Sequence, residues 1–321
     1  MTQKMQVVIS TRSYGKTESS GADLLCQAGL ELVYLPDRHQ PGAPAEEELA
    51  ELLSREETVA LLSGTVPVTE AMIANAPSLK VISMYGVSTG HIAVEAARQR
   101  GIVVEALPPG SNAEAVADMT WGLILAVARR IPRADALVRS GRWQTLGGVS
   151  VYDKTLGILG FGAIGQAVAR RAAGFRMRVL AGNHNPEKYQ EAAESLGVQL
   201  VTLETLLAEA DILTIHVPLT QETRGMIGNN QLRMMKQGAI LVNTSRGAVL
   251  DEKALCCALQ EGWIGGAGLD VFEKEPLPED SCLRFTSNCV LTPHIAARAV
   301  ESDRFVGIYA ARVVLDALGL G

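Results

Sequence analysis

No stretch of this 321-residue chain approaches the 18 or more consecutive apolar residues that a membrane-spanning helix needs; the run at 121–128 is under half that length. The opening MTQKMQVVIS holds an apolar run too short for the core of a signal peptide. Positive charge is also short. Lys+Arg number 29 against 35 Asp+Glu, a net charge of -6, where a dedicated nucleic-acid binder would show a basic face. Cysteine is sparse and odd in number: there are five, and Cys256 and Cys257 are neighbours. Adjacent Cα atoms lie about 3.8 Å apart, below the usual disulfide range of about 4.4–6.8 Å. With no CxxC pair and no His-rich cluster, neither a disulfide nor a metal site is expected. These shortages predict a soluble cytoplasmic protein. Histidine is scarce too, limited to His39, His91, His184, His216 and His294. It is the usual agent of proton transfer near neutral pH, so the candidates are few.

What is present suggests roughly two domains at about 150 residues each. The apolar share, 47%, is ample for a core, and the 31 glycines exceed the average share of about 7%. Short β-rich runs alternate with helical periods from end to end, the pattern of an α/β fold built on parallel sheets. Strand patterns at 7–9, 32–35, 59–62 and 81–83 are separated by helical patterns at 22–28, 46–53 and 69–76. Residues 38–44 (RHQPGAP) read as a surface loop, and 101–111 as a hinge. Asn112 then stands where an N-cap belongs, before a long apolar helix over 113–130. From Thr155 a second series begins, with strands expected at 156–159, 178–181, 199–201, 212–216, 239–243, 266–271 and 290–292. Helical stretches such as 163–173, 187–196 and 252–261 fill the gaps. Runs such as ILTIHV and AILVN suit strands covered on both faces. A last helix, 300–318, follows this series and is expected to return to the first domain.

Gly160, Phe161, Gly162, Ala163, Ile164 and Gly165 spell GxGxxG. The pattern alone is weak, but it directly follows one predicted strand and opens a predicted helix, the context that a dinucleotide fingerprint requires. There the glycines permit a tight turn and let a pyrophosphate approach the backbone N–H groups of the helix start. The next strand ends in Asn183, where NAD-binding folds place an acidic residue for the ribose 2′-hydroxyl. A neutral side chain removes the repulsion of a 2′-phosphate, and His184 and Lys188 stand nearby, which tilts the reading slightly toward NADP. The alternative, Asn183 bonding the ribose hydroxyls of NAD, stays open.

Ligands of open parallel sheets bind beyond the carboxyl ends of the strands. Arg246, Asp270, Glu275 and His294 all fall at or just past such ends. An arginine can hold a carboxylate in a bidentate fork. A carboxylate beside histidine favours the imidazolium, so the pair can serve as acid in reduction and base in oxidation. Each has a plainer reading: a surface arginine, a solvated glutamate in EKEPLPED, a satisfied core histidine in LTPHIAA. Their convergence on one sheet edge favours a site. His216 reads as lining the cofactor groove without taking protons, His91 as bordering the cleft, and His39 as a surface residue.

The segments LGILGFGAIGQAVARR, ADILTIHVPLTQETRGMIG, MKQGAILVNTSRGAVLDEKAL, GAGLDVFEKEP and LTPHIA, in that order, resemble the D-isomer-specific 2-hydroxyacid dehydrogenases. The resemblance implies two Rossmann-like domains, doubly wound parallel sheets with a cleft between them, and a homodimer. It implies a substrate domain of residues 1–103 plus 294–321 and a dinucleotide-binding domain of 104–293. It puts the substrate-binding arginine on Arg246, the proton-transferring histidine on His294, its partner on Glu275 and a nicotinamide contact on Asp270. Further cofactor contacts fall on His216, Val217, Pro218, Thr223, Thr244 and Ser245, and substrate contacts on the backbone at Val87 and Ser88. The implied activity is reversible hydride transfer between NAD(P)H and a small 2-oxoacid. The chain departs from the family where GVSTGH (86–91) stands for a loop usually resembling GVGVDN, and where Ser63 occupies a position that phosphoglycerate dehydrogenases fill with arginine. It also leaves no room for the C-terminal regulatory domain that those enzymes often carry. Arg12, Lys16 and Arg298 are candidates to meet a second anionic group on the substrate, against ordinary solvated charge. The competing function is a cofactor-sensing, corepressor-like binding protein that has kept the fold and lost turnover.

Overall fold

The computed structural model describes residues 4–11, 13–35, 45–87 and 89–321. The expectations placed on Arg12, His39, the loop 38–44 and Ser88 therefore fall largely or wholly outside the described residues. The chain divides into two compact units, Met1–Ser111 with Ala299–Gly321, and Asn112–Arg298.

In the first unit, five parallel strands lie in the order β2-β1-β3-β4-β5. They are β1 (Gln6–Ile9), β2 (Glu31–Tyr34), β3 (Thr58–Ser63), β4 (Val81–Met84) and β5 (Val103–Glu105). Helices α1 (Ser20–Gln27), α2 (Ala45–Leu53), α3 (Glu70–Ala74) and α4 (Val94–Gln99) connect them. Every residue of β3 and β4 is buried, as a strand covered on both faces requires. One face packs Leu49, Leu53 and Ile73, and the other packs Leu25, Ala310 and Val314. The last three come from α1 and from the final helix α12 (Val300–Leu318), which crosses α1 so closely that a Cβ on Gly21 would sit 2.2 Å from the Gly307 carbonyl oxygen.

The second unit is a seven-stranded parallel sheet in the order β12-β11-β10-β9-β6-β7-β8. Its strands are β6 (Thr155–Leu159), β7 (Arg178–Gly182), β8 (Val198–Leu200), β9 (Ile212–Ile215), β10 (Ala239–Asn243), β11 (Ile264–Leu269) and β12 (Cys289–Leu291). Helices α5 (Ala113–Ala128), α6 (Ile131–Arg139), α7 (Ala163–Ala172), α8 (Gln190–Ser195), α9 (Leu203–Glu209), α10 (Asn229–Met234) and α11 (Glu252–Gln260) complete it. Its strand order reverses beside β6, which pairs with β7 on one side and β9 on the other. A crevice for a ligand opens at such a switch point.

Four sequence expectations need correction. The units divide at Ser111/Asn112 and Arg298/Ala299 rather than at 103/104 and 293/294. The turn after β12 stays tied to β11 through the His294 N–H bond to the Asp270 carbonyl, 2.8 Å. Asn112 occupies the N-cap position of α5 but makes no side-chain capping bond. The apolar pattern at 113–130 ends at Ala128, because Arg130 turns left-handed (φ 54°) and Pro132 starts α6. Finally, Cys256 and Cys282 form a disulfide with Cα atoms 6.3 Å apart. The geometric bar applies to the neighbouring pair Cys256–Cys257 and not to a partner 26 residues away. In the fold α11 buries Cys256 and exposes Cys257, and a 3₁₀ turn, Cys282–Phe285, delivers the distant partner.

Candidate active site

The glycine turn joins β6 to α7, and its three glycines have separate physical reasons. Gly160 has φ 98°, and a Cβ there would lie 2.7 Å from the His216 backbone. A Cβ on Gly165 would reach within 2.2 Å of the Gly160 carbonyl oxygen, so only glycine lets α7 pack this close to its strand. A Cβ on Gly162 would meet nothing, which leaves open space in front of the helix. Gly162 is also the N-cap and offers no capping side chain, so α7 begins with N–H groups available to an anion. Phe161 is buried, while Ala163 and Ile164 form the first turn. These features fit a dinucleotide pyrophosphate.

His216 follows β9 beside this turn. Burial pushes its imidazole down to about 3, so the ring is neutral. Among the described residues neither ring nitrogen has a partner, an orphaned polar group on the residue whose backbone abuts Gly160. Val217 and Pro218 continue the segment, and Thr223 closes it by donating to the Pro218 carbonyl oxygen, 2.6 Å. Asn183 stands just past β7, where its Oδ1 accepts from the Asn185 N–H, 3.0 Å, in an Asx turn that exposes His184. Lys188 lies over the Tyr189 ring.

The carboxyl ends of β10, β11 and β12 bring together three of the predicted residues. Arg246, Glu275 and His294 line one cavity of about 270 Å³ with Leu219, Gly247, Ala248, Phe272 and Glu273. His294 Nδ1 donates to Glu275 Oε2 at 2.7 Å, which leaves Nε2 as the nitrogen free for chemistry. That hydrogen bond, opposed by burial and helped by the charges of Glu275 and Asp270, holds the imidazole above its usual range; Arg246 acts against it. Glu275 is held below the ordinary carboxylate range despite its burial, by His294 and by the Phe272 N–H, 3.1 Å. Both side chains are about half-exposed.

Two residues that set this geometry act from beneath. Asp270 is fully buried and accepts from Thr292 Oγ1 (2.5 Å), the Ile295 N–H (2.9 Å) and the Ala296 N–H (2.7 Å). It ties down the turn in which His294 adopts a left-handed φ of 55°. Asn243, also fully buried, accepts from the Ser245 N–H and hydroxyl and donates to the Arg246 carbonyl oxygen. Thr244 is buried and bonded to Thr120 Oγ1, 3.0 Å. Sequence reasoning named neither Asn243 nor Thr292; the one available signal was an asparagine at a strand end, three residues before an arginine.

On the first unit, Ser63 is fully buried with Oγ 3.4 Å from His91 Nε2, and burial pushes the His91 imidazole below its usual range. Val87 is exposed. Lys16 belongs to this unit and Arg298 to the other. Among the described residues no group of side chains could hold a metal ion, and no helix is long and apolar enough to cross a membrane.

Comparison with known proteins agrees with this picture. Residues 121–296 match the family described as D-isomer specific 2-hydroxyacid dehydrogenase, NAD binding domain. A glyoxylate reductase of Thermococcus litoralis is 46% identical over 271 residues, 82% of this chain and 80% of that one. A D-3-phosphoglycerate dehydrogenase of Methanocaldococcus jannaschii is 43% identical over 276 residues, 85% of this chain but only 52% of that one. Among solved structures, the TT0316 protein of Thermus thermophilus superposes with a TM-score of 0.87 at 37% identity, covering 98% of this chain and 97% of that one. A nucleotide turn, a histidine–carboxylate pair and a sequence match spanning most of the chain converge: the protein belongs to the D-isomer specific 2-hydroxyacid dehydrogenases.

Proposed function

We propose that this protein reduces a small 2-oxoacid, with glyoxylate as the leading candidate, to the corresponding 2-hydroxyacid (the D-isomer where the product is chiral) at the expense of NAD(P)H. The observation that carries the reading is the 2.7 Å pair of His294 and Glu275 beside Arg246 in one cavity. Arg246 holds the substrate carboxylate in its guanidinium fork and polarises the adjacent carbonyl. His294 gives a proton from Nε2 to the carbonyl oxygen, and Glu275 stabilises the imidazolium that precedes the transfer. A nicotinamide cofactor, when bound on the turn at 160–165, would supply the hydride. The turn at 160–165, His216, Val217, Pro218, Thr223, Thr244, Ser245 and Asp270 form the cofactor side, and Val87 remains a proposed substrate contact of the first unit. Similarity to glyoxylate reductases supports the small substrate. So does Ser63, a buried neutral group where a phosphorylated substrate would call for a cation. The test is a kinetic screen of glyoxylate, hydroxypyruvate, pyruvate and larger 2-oxoacids against NADH and NADPH. Efficient turnover of the smallest acids is expected; binding of cofactor without turnover of any acid would favour the corepressor-like alternative.

Asn183 supports a slight preference for NADPH. Aspartate can keep the bond to the Asn185 N–H, so Asn183→Asp changes charge and little else. The KM for NADPH is expected to rise at least about tenfold while that for NADH stays within about threefold, since like-charge juxtaposition costs several kcal/mol. Equal changes for both cofactors would remove the assignment.

For assembly we propose a homodimer. Ile131, Val138, Trp143, Val149 and Tyr152 are all at least half-exposed within one stretch of chain, Trp143 at 92%. Exposed apolar clusters of this kind mark contact surfaces. Sedimentation equilibrium is expected to give twice the 34.2 kDa of one chain, and Trp143→Glu to shift it toward the monomer.

A further inference from the structure

Glu252 opens α11 and is half-buried. Its Oε1 accepts a hydrogen bond of 2.6 Å from the Glu273 backbone N–H. Glu273 sits on the loop after β11, two residues before Glu275, whose own carboxylate turns back to the Phe272 N–H and across to His294. One helical turn beyond Glu252, on the same face of α11, Cys256 is joined to Cys282. The helix therefore grips the segment 273–282 at both ends, with Glu275 between the two attachments. Beneath the loop, the backbone of Gly247 closes the remaining side.

The surroundings of Glu252 make a carboxylate an expensive choice. Burial raises its pKa, and the charges of Glu273, Asp251 and Glu275 raise it further, with only the Glu273 N–H opposing. Cys289, on β12, faces it as well, and its thiol is pushed up to about 12 by burial and by this carboxylate. An acceptor oxygen at this place, ionised or neutral, suffices to hold the Glu273 N–H.

We infer that Glu252 is a positioning residue, fastening the Glu275-bearing loop to α11 so that Glu275 meets His294. The inference rests on the proton-transfer reading of that pair, yet its test need not. In protein labelled with ¹⁵N- and ¹³C-histidine, the His294 ring is identified by the signal lost in His294→Asn, and its titration midpoint is followed by NMR. Glu252→Gln keeps an acceptor oxygen for the Glu273 N–H, and the midpoint is expected to move by no more than a few tenths of a unit, with kcat within about threefold of wild type. Glu252→Ala releases the loop. The midpoint is then expected to fall by about one unit and kcat for 2-oxoacid reduction about tenfold, with the cofactor KM unchanged. An unchanged midpoint in Glu252→Ala, or equal losses in both variants, would overturn the inference. Should the alanine variant not fold, hydrogen exchange of the wild-type Glu273 amide decides: slow exchange is expected, and exchange at the rate of an open loop would refute the tether. A wild-type protein that turns over no 2-oxoacid would defeat the proposed function while leaving the NMR and exchange results to judge Glu252.

Discussion

Replacing His294 by asparagine is expected to lower kcat for 2-oxoacid reduction about a thousandfold, within the range of about 10²–10⁴ that a positioned acid contributes. Asparagine is the informative substitute because His294 has φ 55°, in the left-handed region that asparagine tolerates and alanine resists. His294→Ala would combine lost chemistry with backbone strain; His294→Asn removes the proton carrier alone. Cofactor affinity, measured by nucleotide fluorescence, should remain near wild type, since the pyrophosphate turn lies on other strands. Retention of more than a tenth of wild-type kcat would sink the assignment.

The pH dependence follows from the same pair. In the proposed mechanism reduction requires the imidazolium, so the rate is expected to be constant below the folded pKa of His294 and to decline above it. Glu275 raises that pKa through its hydrogen bond, against burial, so the active plateau reaches higher pH than a free histidine would allow. Glu275→Gln removes the charge that favours the imidazolium. The declining limb is then expected to move to lower pH, with a loss of about tenfold or more at neutral pH, where one unit of pKa is a factor of ten in population. A limb that stayed in place would mean that another group sets it.

Local patterns were legible in the sequence where one segment carries its own explanation. GFGAIG between an apolar strand and a helix announced a nucleotide turn, and its glycines prove to serve distinct ends: Gly160 and Gly165 allow close backbone approaches, while Gly162 leaves open space before the helix. The 19 residues of α12 were legible in outline as a last helix at 300–318, and in the fold Gly319 ends them in a left-handed cap. The alignment of Arg246, Glu275 and His294 could be read because parallel strands all deliver their following residues to one edge. Strand β5 and helix α4 were missed: β5 lies in the stretch 101–111 that reads as a hinge, and the six residues of α4 hold too few positions to show a period. Pairings between distant segments left no local trace. Cys282 lies 26 residues from Cys256, and Glu252 and Glu273 are 21 apart. Asp270 was assigned to the cofactor by resemblance, whereas its place at the base of the His294 turn follows only from which N–H groups surround its carboxylate.

Gly247 shows the same limit and yields the second large expected effect. In sequence it is one glycine among 31, following Arg246 with no motif of its own. In the fold β10 and β11 are neighbours, so the loops after them must pass each other, and Gly247 is the crossing point. A Cβ there would lie 1.8 Å from the Phe272 carbonyl carbon and 2.3 Å from the Glu273 nitrogen. Both are backbone atoms, so no side chain can swing aside; one of the two loops must move by more than an ångström. Either motion separates Arg246 from the Glu275–His294 pair, and displacement of about 1 Å can cost on the order of a hundredfold in rate. Gly247→Ala is therefore expected to reduce kcat/KM for the 2-oxoacid about a hundredfold. Overpacking of this kind also costs about 1–3 kcal/mol of stability, visible as a lowered Tm. The split between substrate and cofactor is the sharper test: kcat/KM should fall much further than NAD(P)H affinity, because Thr244, Ser245 and Asp270 lie by the crossing but the turn at Gly160–Gly165 is built on β6 and α7, away from it. An alanine variant with kcat/KM within threefold of wild type would show that the loops pass with room to spare.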